Sequence, residues 1–131
     1  MLKDMQPATM IPASDLARAR RFYEDVLGFT PDIEDPNGVS YRSGNGRFNI
    51  YPTGFAGTAQ HTLIGWHTDD IEKAVDELAA KGVAFEQYDM GGFSTDAKGI
   101  ADMGTEKAAW FKDPEGNILS IWQVPAMWLE R

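Results

Sequence analysis

The sequence predicts a single α+β domain in which one β-α-β-β-β unit occurs twice. Two segments show one-sided helical periodicity, and short strand candidates bounded by Gly- and Pro-containing turns surround each. The two helical segments also align at a constant offset of 55 residues, Asp15 with Asp70 and Ala19 with Ala74. Such an offset marks an internal duplication of a supersecondary unit.

The first unit opens with a short apolar run, Ala8 to Ala13. A helix is expected over Asp15 to Leu27, where Leu16, Ala19, Phe22, Tyr23, Val26 and Leu27 recur every three or four residues. Ser14 or Asp15 caps its start, and Gly28 stands where helices end. Strands follow over Thr30 to Glu34, Val39 to Arg42 and Arg47 to Pro52, separated by the turn sequences DPNG and SGNG.

The second unit repeats this order. Thr62 to Thr68 is its entering strand, and Asp70 to Lys81 its helix, with Ile71, Ala74, Val75, Leu78 and Ala79 on the apolar side. Asp69 followed by Glu72 reads as a capping box, and Gly82 as the stop. Strands are expected over Val83 to Gln87, Lys107 to Lys112 and Asn117 to Val124, with a fainter signal over Gly99 to Met103 and a DPEG turn at Asp113 to Gly116. Module 1 therefore spans about 5–53 and module 2 about 61–124. GFAGTAQ joins them within one domain, and a tail occupies 125–131.

The chain has 131 residues, 43% hydrophobic and 24% charged, enough apolar material for a real core. It has no cysteine, which removes disulfides and thiolate metal sites. No apolar run has the length of a membrane span or the form of a signal peptide, so a soluble cytoplasmic protein is expected. A net charge of −8 repels polyanions, which argues against nucleic acid and anionic membranes as partners. No nucleophile motif, phosphate loop or dinucleotide fingerprint is present.

Three stretches carry a family resemblance. ARRFYEDVLGF (Ala19 to Phe29), TDDIEKAVDELAAKGVAF (Thr68 to Phe85) and AAWFKDPEGNILSIWQ (Ala108 to Gln123), with its Asp-Pro-x-Gly-Asn turn, resemble the vicinal oxygen chelate superfamily of glyoxalases, bleomycin resistance proteins and extradiol dioxygenases. The resemblance implies two βαβββ modules whose curved mixed sheet surrounds a central cavity. It also implies a homodimer, and in the enzymes a divalent metal acting as a Lewis acid. By position, the family's metal ligands fall here on Ala8, Asn49, Leu63 and Ser120. Divalent catalytic metals need about three ligands from His, carboxylate or thiolate, and this set supplies none. No metal and no other cofactor is therefore expected.

Strand alternation places Met10 and Pro12, Tyr51, His61, Gly65 and His67, and Ile118 and Trp122 on the same faces as those four positions. The expected ligand-binding residues are Met10, Asn49, Tyr51, Leu63, His67, Phe93, Ser120 and Trp122, with Tyr51 and Trp122 brought together by the pseudo-symmetry. Trp66 and Trp110 are expected in the core. His67, an imidazole on the inward face, is the candidate general base. The expected function is metal-free binding of a partly apolar or aromatic small molecule. The rival is a glyoxalase-like lyase, isomerase or dioxygenase that relocates its metal or uses acid–base groups alone.

Overall fold

A helix forms where an apolar stripe meets a capping side chain, and the two α-helices among the described residues show how. In the computed structural model, which describes residues 1–125, α1 runs over Leu16–Arg21 and α2 over Ile71–Ala80. The Asp15 carboxylate accepts from the Arg18 N–H at 3.0 Å, and that of Asp70 from the Lys73 N–H at 3.1 Å. The second cap is thus Asp70 and not the expected Asp69, because the helix begins at Ile71, one residue later than expected, and the residue just before it is the cap. Ser14 is likewise no cap; its hydroxyl goes to Glu115.

The first helix widens into a π-helical turn over Phe22–Val26, closed by Leu27 N–H on the Phe22 carbonyl at 3.0 Å. Within it, Phe22 packs on Phe111 while Tyr23 is wholly buried.

Among the described residues, eight strands form two four-stranded mixed sheets. Module 1 has β1 (Thr9–Ala13), β2 (Pro31–Asp35), β3 (Gly38–Ser43) and β4 (Gly46–Pro52) in the order β1-β4-β3-β2. Module 2 has β5 (Thr62–His67), β6 (Ile100–Asp102), β7 (Lys107–Lys112) and β8 (Ile118–Gln123) in the matching order β5-β8-β7-β6. In each sheet the entering strand runs parallel to the closing strand, and the remaining pairs are antiparallel. The chain therefore carries the duplicated unit that its sequence repeats.

One strand is displaced from its expected place. Val83 to Gln87 makes only a single bridge, Phe85 opposite Phe111, with Glu86 N–H on the Trp110 carbonyl at 2.8 Å. The edge of β7 is too short for two full strands. Ile100–Asp102 takes its Lys107–Ala109 end, leaving room for one bridge beyond. The faint signal at Gly99 to Met103 thus marks the true fourth strand. From residue 126 on, the tail expected over 125–131 lies outside the described residues. No helix among the described residues is long and apolar enough to cross a membrane.

One apolar core runs through both modules, built from Ile11, Tyr23, Phe48 and Ile50 on one side and Phe111 and Leu119 on the other. Trp66 joins it as expected, against Phe29 and Phe48, with its indole N–H on Ser43 Oγ at 3.1 Å. Beside this apolar seam lies a polar one. The Asp113–Gly116 turn reaches back about a hundred residues to module 1: Glu115 accepts from Ser14 Oγ at 2.7 Å, Asp15 N–H at 2.7 Å and Arg18 Nη2 at 2.6 Å. Asn117 donates to the Pro12 carbonyl at 2.8 Å and accepts from Gly57 N–H at 3.2 Å. Gly57 has φ +72°, and a Cβ there would stand 2.5 Å from the Glu115 carbonyl oxygen, so only glycine lets the linker approach this closely.

The Glu115 side chain is 1% exposed. Burial pushes its pKa up, but the bonds from Asp15, Ser14 and Arg18 outweigh that and hold it below the ordinary 4.5. A depressed carboxylate stabilises the fold above its unfolded pKa, and that contribution disappears as pH falls through the lower folded value. The native state is therefore expected to lose stability below about pH 4.5. Glu115→Gln should cost about 2 kcal/mol at pH 7 and flatten the acid slope. Urea midpoints measured between pH 3 and 7 check both, and an unchanged slope in the variant would count against this role.

Candidate ligand-binding cups

The core takes one face of each sheet, and strand alternation turns every second side chain to the other. On module 1 this outer face is cup 1. It carries Met10 from β1, Ser40 from β3, and Arg47, Asn49 and Tyr51 from β4. With Ile33 these line a half-open concavity of about 270 Å³. Asn49 Nδ2 donates to Met10 Sδ at 3.4 Å. Arg47 donates to Ser40 Oγ at 2.8 Å and pairs with Asp32, whose pKa it holds below the usual carboxylate value. The cation of cup 1 is thus already engaged.

Cup 2 is the outer face of module 2. Its centre is the pair Gly65–Ser120, directly opposite one another on β5 and β8. A Cβ on Gly65 would lie 2.7 Å from Ser120 Oγ and 3.1 Å from Trp122 Cδ1 and Nε1. The indole of Trp122 therefore lies across the space that a side chain at 65 would fill. His67 meets this ring edge-on at 5.9 Å and 80°. Its Nε2 is buried and has no hydrogen-bond partner among the described residues. A buried imidazole nitrogen left so is costly unless something else bonds to it.

A second aromatic group closes the far side of cup 2. The chain between α2 and β6 folds into a small hairpin, with Thr95 N–H on the Tyr88 carbonyl at 2.9 Å and Met90 N–H on the Phe93 carbonyl at 2.8 Å. It sets Tyr88 and Phe93 against Trp110 of β7, at ring separations of 5.8 and 5.5 Å and interplanar angles of 73° and 63°. All three rings are half-buried around an open concavity of about 280 Å³ that also takes in His61, Met90 and Ile118. Trp110 is thus a cup residue and not the core residue expected. It sits on the alternate face from Phe111, which takes the core.

Met10, Asn49 and Tyr51 come together in cup 1, while Leu63, His67, Ser120 and Trp122 share the cup side of module 2. Phe93 joins that side through the hairpin. Tyr51 and Trp122 are not brought together: pseudo-symmetry gives them equivalent places on two different sheets, Tyr51 opposite Pro12 and Trp122 opposite His67. The concavity at Tyr51 is lined entirely from module 1. Arg47 and Tyr88 escaped sequence reasoning. Arg47 was accessible by stepping back two residues from Asn49, whereas Tyr88 owes its place to a hairpin that no local pattern announces.

With this geometry in hand, comparison with known proteins is decisive at the level of family. The model of the Glyoxalase/Bleomycin resistance protein/Dioxygenase superfamily matches residues 6–121. The chain belongs to this superfamily. Its fold is similar to that of a glyoxalase family protein from Enterococcus faecalis, at TM-score 0.69 and 19% identity over 93% of this chain and 99% of that one. It is similar to a glyoxalase/bleomycin resistance protein/dioxygenase from Alicyclobacillus acidocaldarius, at TM-score 0.69 and 16% identity over 98% and 97%. TnmS3, an antibiotic binding protein from Streptomyces sp. CB03234, is similar at TM-score 0.63 and 19% identity over 95% and 99%. No curated protein matches the chain.

The superfamily's metal can be tested against the residues present. Register puts Met10 opposite Asn49 and Gly65 opposite Ser120. Ala8 precedes β1, and Leu63 sits at an irregularity between Thr62 and Ile64. Either way of choosing the corner positions yields thioether, amide, hydroxyl or no donor at all. Nor do the described residues bring three His, Asp or Glu together anywhere. These residues do not fit a divalent catalytic ion.

Proposed function

We propose that this superfamily member is a metal-independent small-molecule-binding protein, whose ligand lies between cup 1 of one chain and cup 2 of a second copy. The observation that carries the proposal is the makeup of the two faces. Cup 1 is an open concavity that sets apolar side chains and one ring, Tyr51, among hydrogen-bonding groups, and cup 2 is an open, mainly aromatic one; apolar walls with placed polar groups are the usual recipe for a small-molecule site. Each also belongs to one module only. A half-open cup buries too little of a drug-sized molecule, and a facing cup from a twofold-related copy supplies the missing wall.

In this arrangement Tyr51 and Trp122 offer ring faces. Asn49 and Ser120 offer hydrogen bonds, and the buried Nε2 of His67 receives the partner it lacks. The antibiotic binding protein among the similar folds supports this reading by analogy of fold.

Native mass spectrometry of protein purified without chelators tests it in one experiment. The expected spectrum is a dimer with no stoichiometric metal, carrying or accepting an organic ligand at no more than one per cup pair. Near-stoichiometric Zn, Ni, Fe or Mn, or a strictly monomeric species that takes up ligand, would sink the proposal.

A further inference from the structure

We infer that the Tyr88–Phe93–Trp110 corner of cup 2 recognises an organic cation of the quaternary or substituted ammonium type. The inference rests on the reading of cup 2 as a ligand-binding face and specifies the chemistry it selects.

Three observations converge on it. First, the corner presents three rings inclined to one another by 43° to 73°, with separations of 5.5 to 6.4 Å. Both Trp110 pairs meet edge to face, and a cation is attracted to any ring face left open to the concavity within about 6 Å of its centroid. Secondly, among the described residues no Lys or Arg lines the concavity, whose remaining contributors are Gln60, His61, Thr62, Met90 and Ile118. A positive guest meets polarizable surface and no fixed positive charge. Thirdly, the whole chain carries −8, which favours a cationic ligand over an anionic one at long range. The facing cup proposed above adds no unengaged guanidinium, since Arg47 is paired with Asp32.

The rings also sit where recognition can be adjusted. Tyr88 and Phe93 belong to a hairpin of a few backbone bonds, and Met90 at its turn is 67% exposed. Phe93 packs on the surface of the fold and not in its core, so replacing it leaves the domain intact.

The test compares choline with its neutral isostere, in which a quaternary carbon replaces the nitrogen. The two have the same shape and differ in charge alone. Binding is followed by the indole N–H resonances of the intact protein, with Trp110 assigned by substitution. Choline is expected to bind at least about ten-fold more tightly than the isostere, an energy within reach of two or three cation–π contacts. In Phe93→Leu and Tyr88→Leu, which keep apolar bulk and remove a ring, that preference should shrink several-fold, with choline losing more affinity than the isostere. Equal affinity for the two probes would overturn the cation inference and leave the apolar binding face standing. Equal loss of both probes in the Leu variants, or no response of the Trp110 resonance to either, would overturn it as well. The dimeric, metal-free cup is decided separately by the mass spectrum.

Discussion

Replacing Asp113 by Ala is expected to lower stability by about 3–5 kcal/mol, more than any surface change, because the site is a buried polar network. The carboxylate is 4% exposed and accepts four bonds: Tyr23 hydroxyl at 2.7 Å, Glu115 N–H at 3.0 Å, Asn117 N–H at 2.9 Å and Asn117 Nδ2 at 2.9 Å. Burial, with Asp113 beside it, pushes the Tyr23 hydroxyl far above its ordinary pKa, so that it remains a donor throughout the accessible range. Removing the acceptor strands that hydroxyl and two backbone donors in the interior, each with a desolvation cost of about 1–3 kcal/mol before relaxation.

Thermal unfolding at fixed protein concentration should register a drop of about 10–15 °C. A double-mutant cycle sharpens the attribution. Tyr23→Phe alone should cost about 1–2 kcal/mol, yet add little on top of Asp113→Ala, since the bond is already gone. A loss under about 1 kcal/mol for Asp113→Ala would mean that the turn does not staple the modules.

The second large effect belongs to Phe48. It is 1% exposed and stands at the centre of four aromatic neighbours: Tyr23 at 5.9 Å, Phe29 at 5.1 Å, Tyr41 at 5.2 Å and Trp66 at 5.9 Å. Trp66 belongs to module 2 and the other rings to module 1, so Phe48 joins the halves as well as filling the core. Phe48→Ala should cost about 3–5 kcal/mol through lost burial and an unfilled cavity, measured by urea denaturation. Phe48→Leu should recover more than half of that, since its bulk fills most of the hole. Near-equal losses in Ala and Leu would point to ring-specific contacts in place of volume.

Sequence and structure agree where the controlling physics is local. The apolar stripe of Ile71, Val75 and Leu78 needs only a 3.6-residue period and a capping carboxylate to specify α2, and the DPEG turn needs only its own backbone bonds. The donor chemistry of the corners is a property of the residues themselves, since Asn49, Ser120 and their neighbours offer thioether, amide, hydroxyl or no donor wherever the strands register. The strand at Val83 was misjudged for a reason that lies outside it: apolar residues alternate there, but the available edge of β7 was taken by Ile100–Asp102. Strand propensity states that a segment suits a sheet, not that a vacant edge awaits it.

Composition, periodicity and the repeated β-α-β-β-β order together determined the fold class and the duplication. Only the tertiary structure decided that Glu115 reaches back to the start of α1 and Asp113 to Tyr23 in the π-helical turn, locking the halves. It alone folded Trp122 over the bare backbone of Gly65, and gathered Tyr88, Phe93 and Trp110 from a hairpin and a strand into one corner. The reason is the range of the forces involved. Periodicity records which side of an element meets the core, whereas the choice of partner across a hundred residues depends on chain geometry that no local pattern encodes.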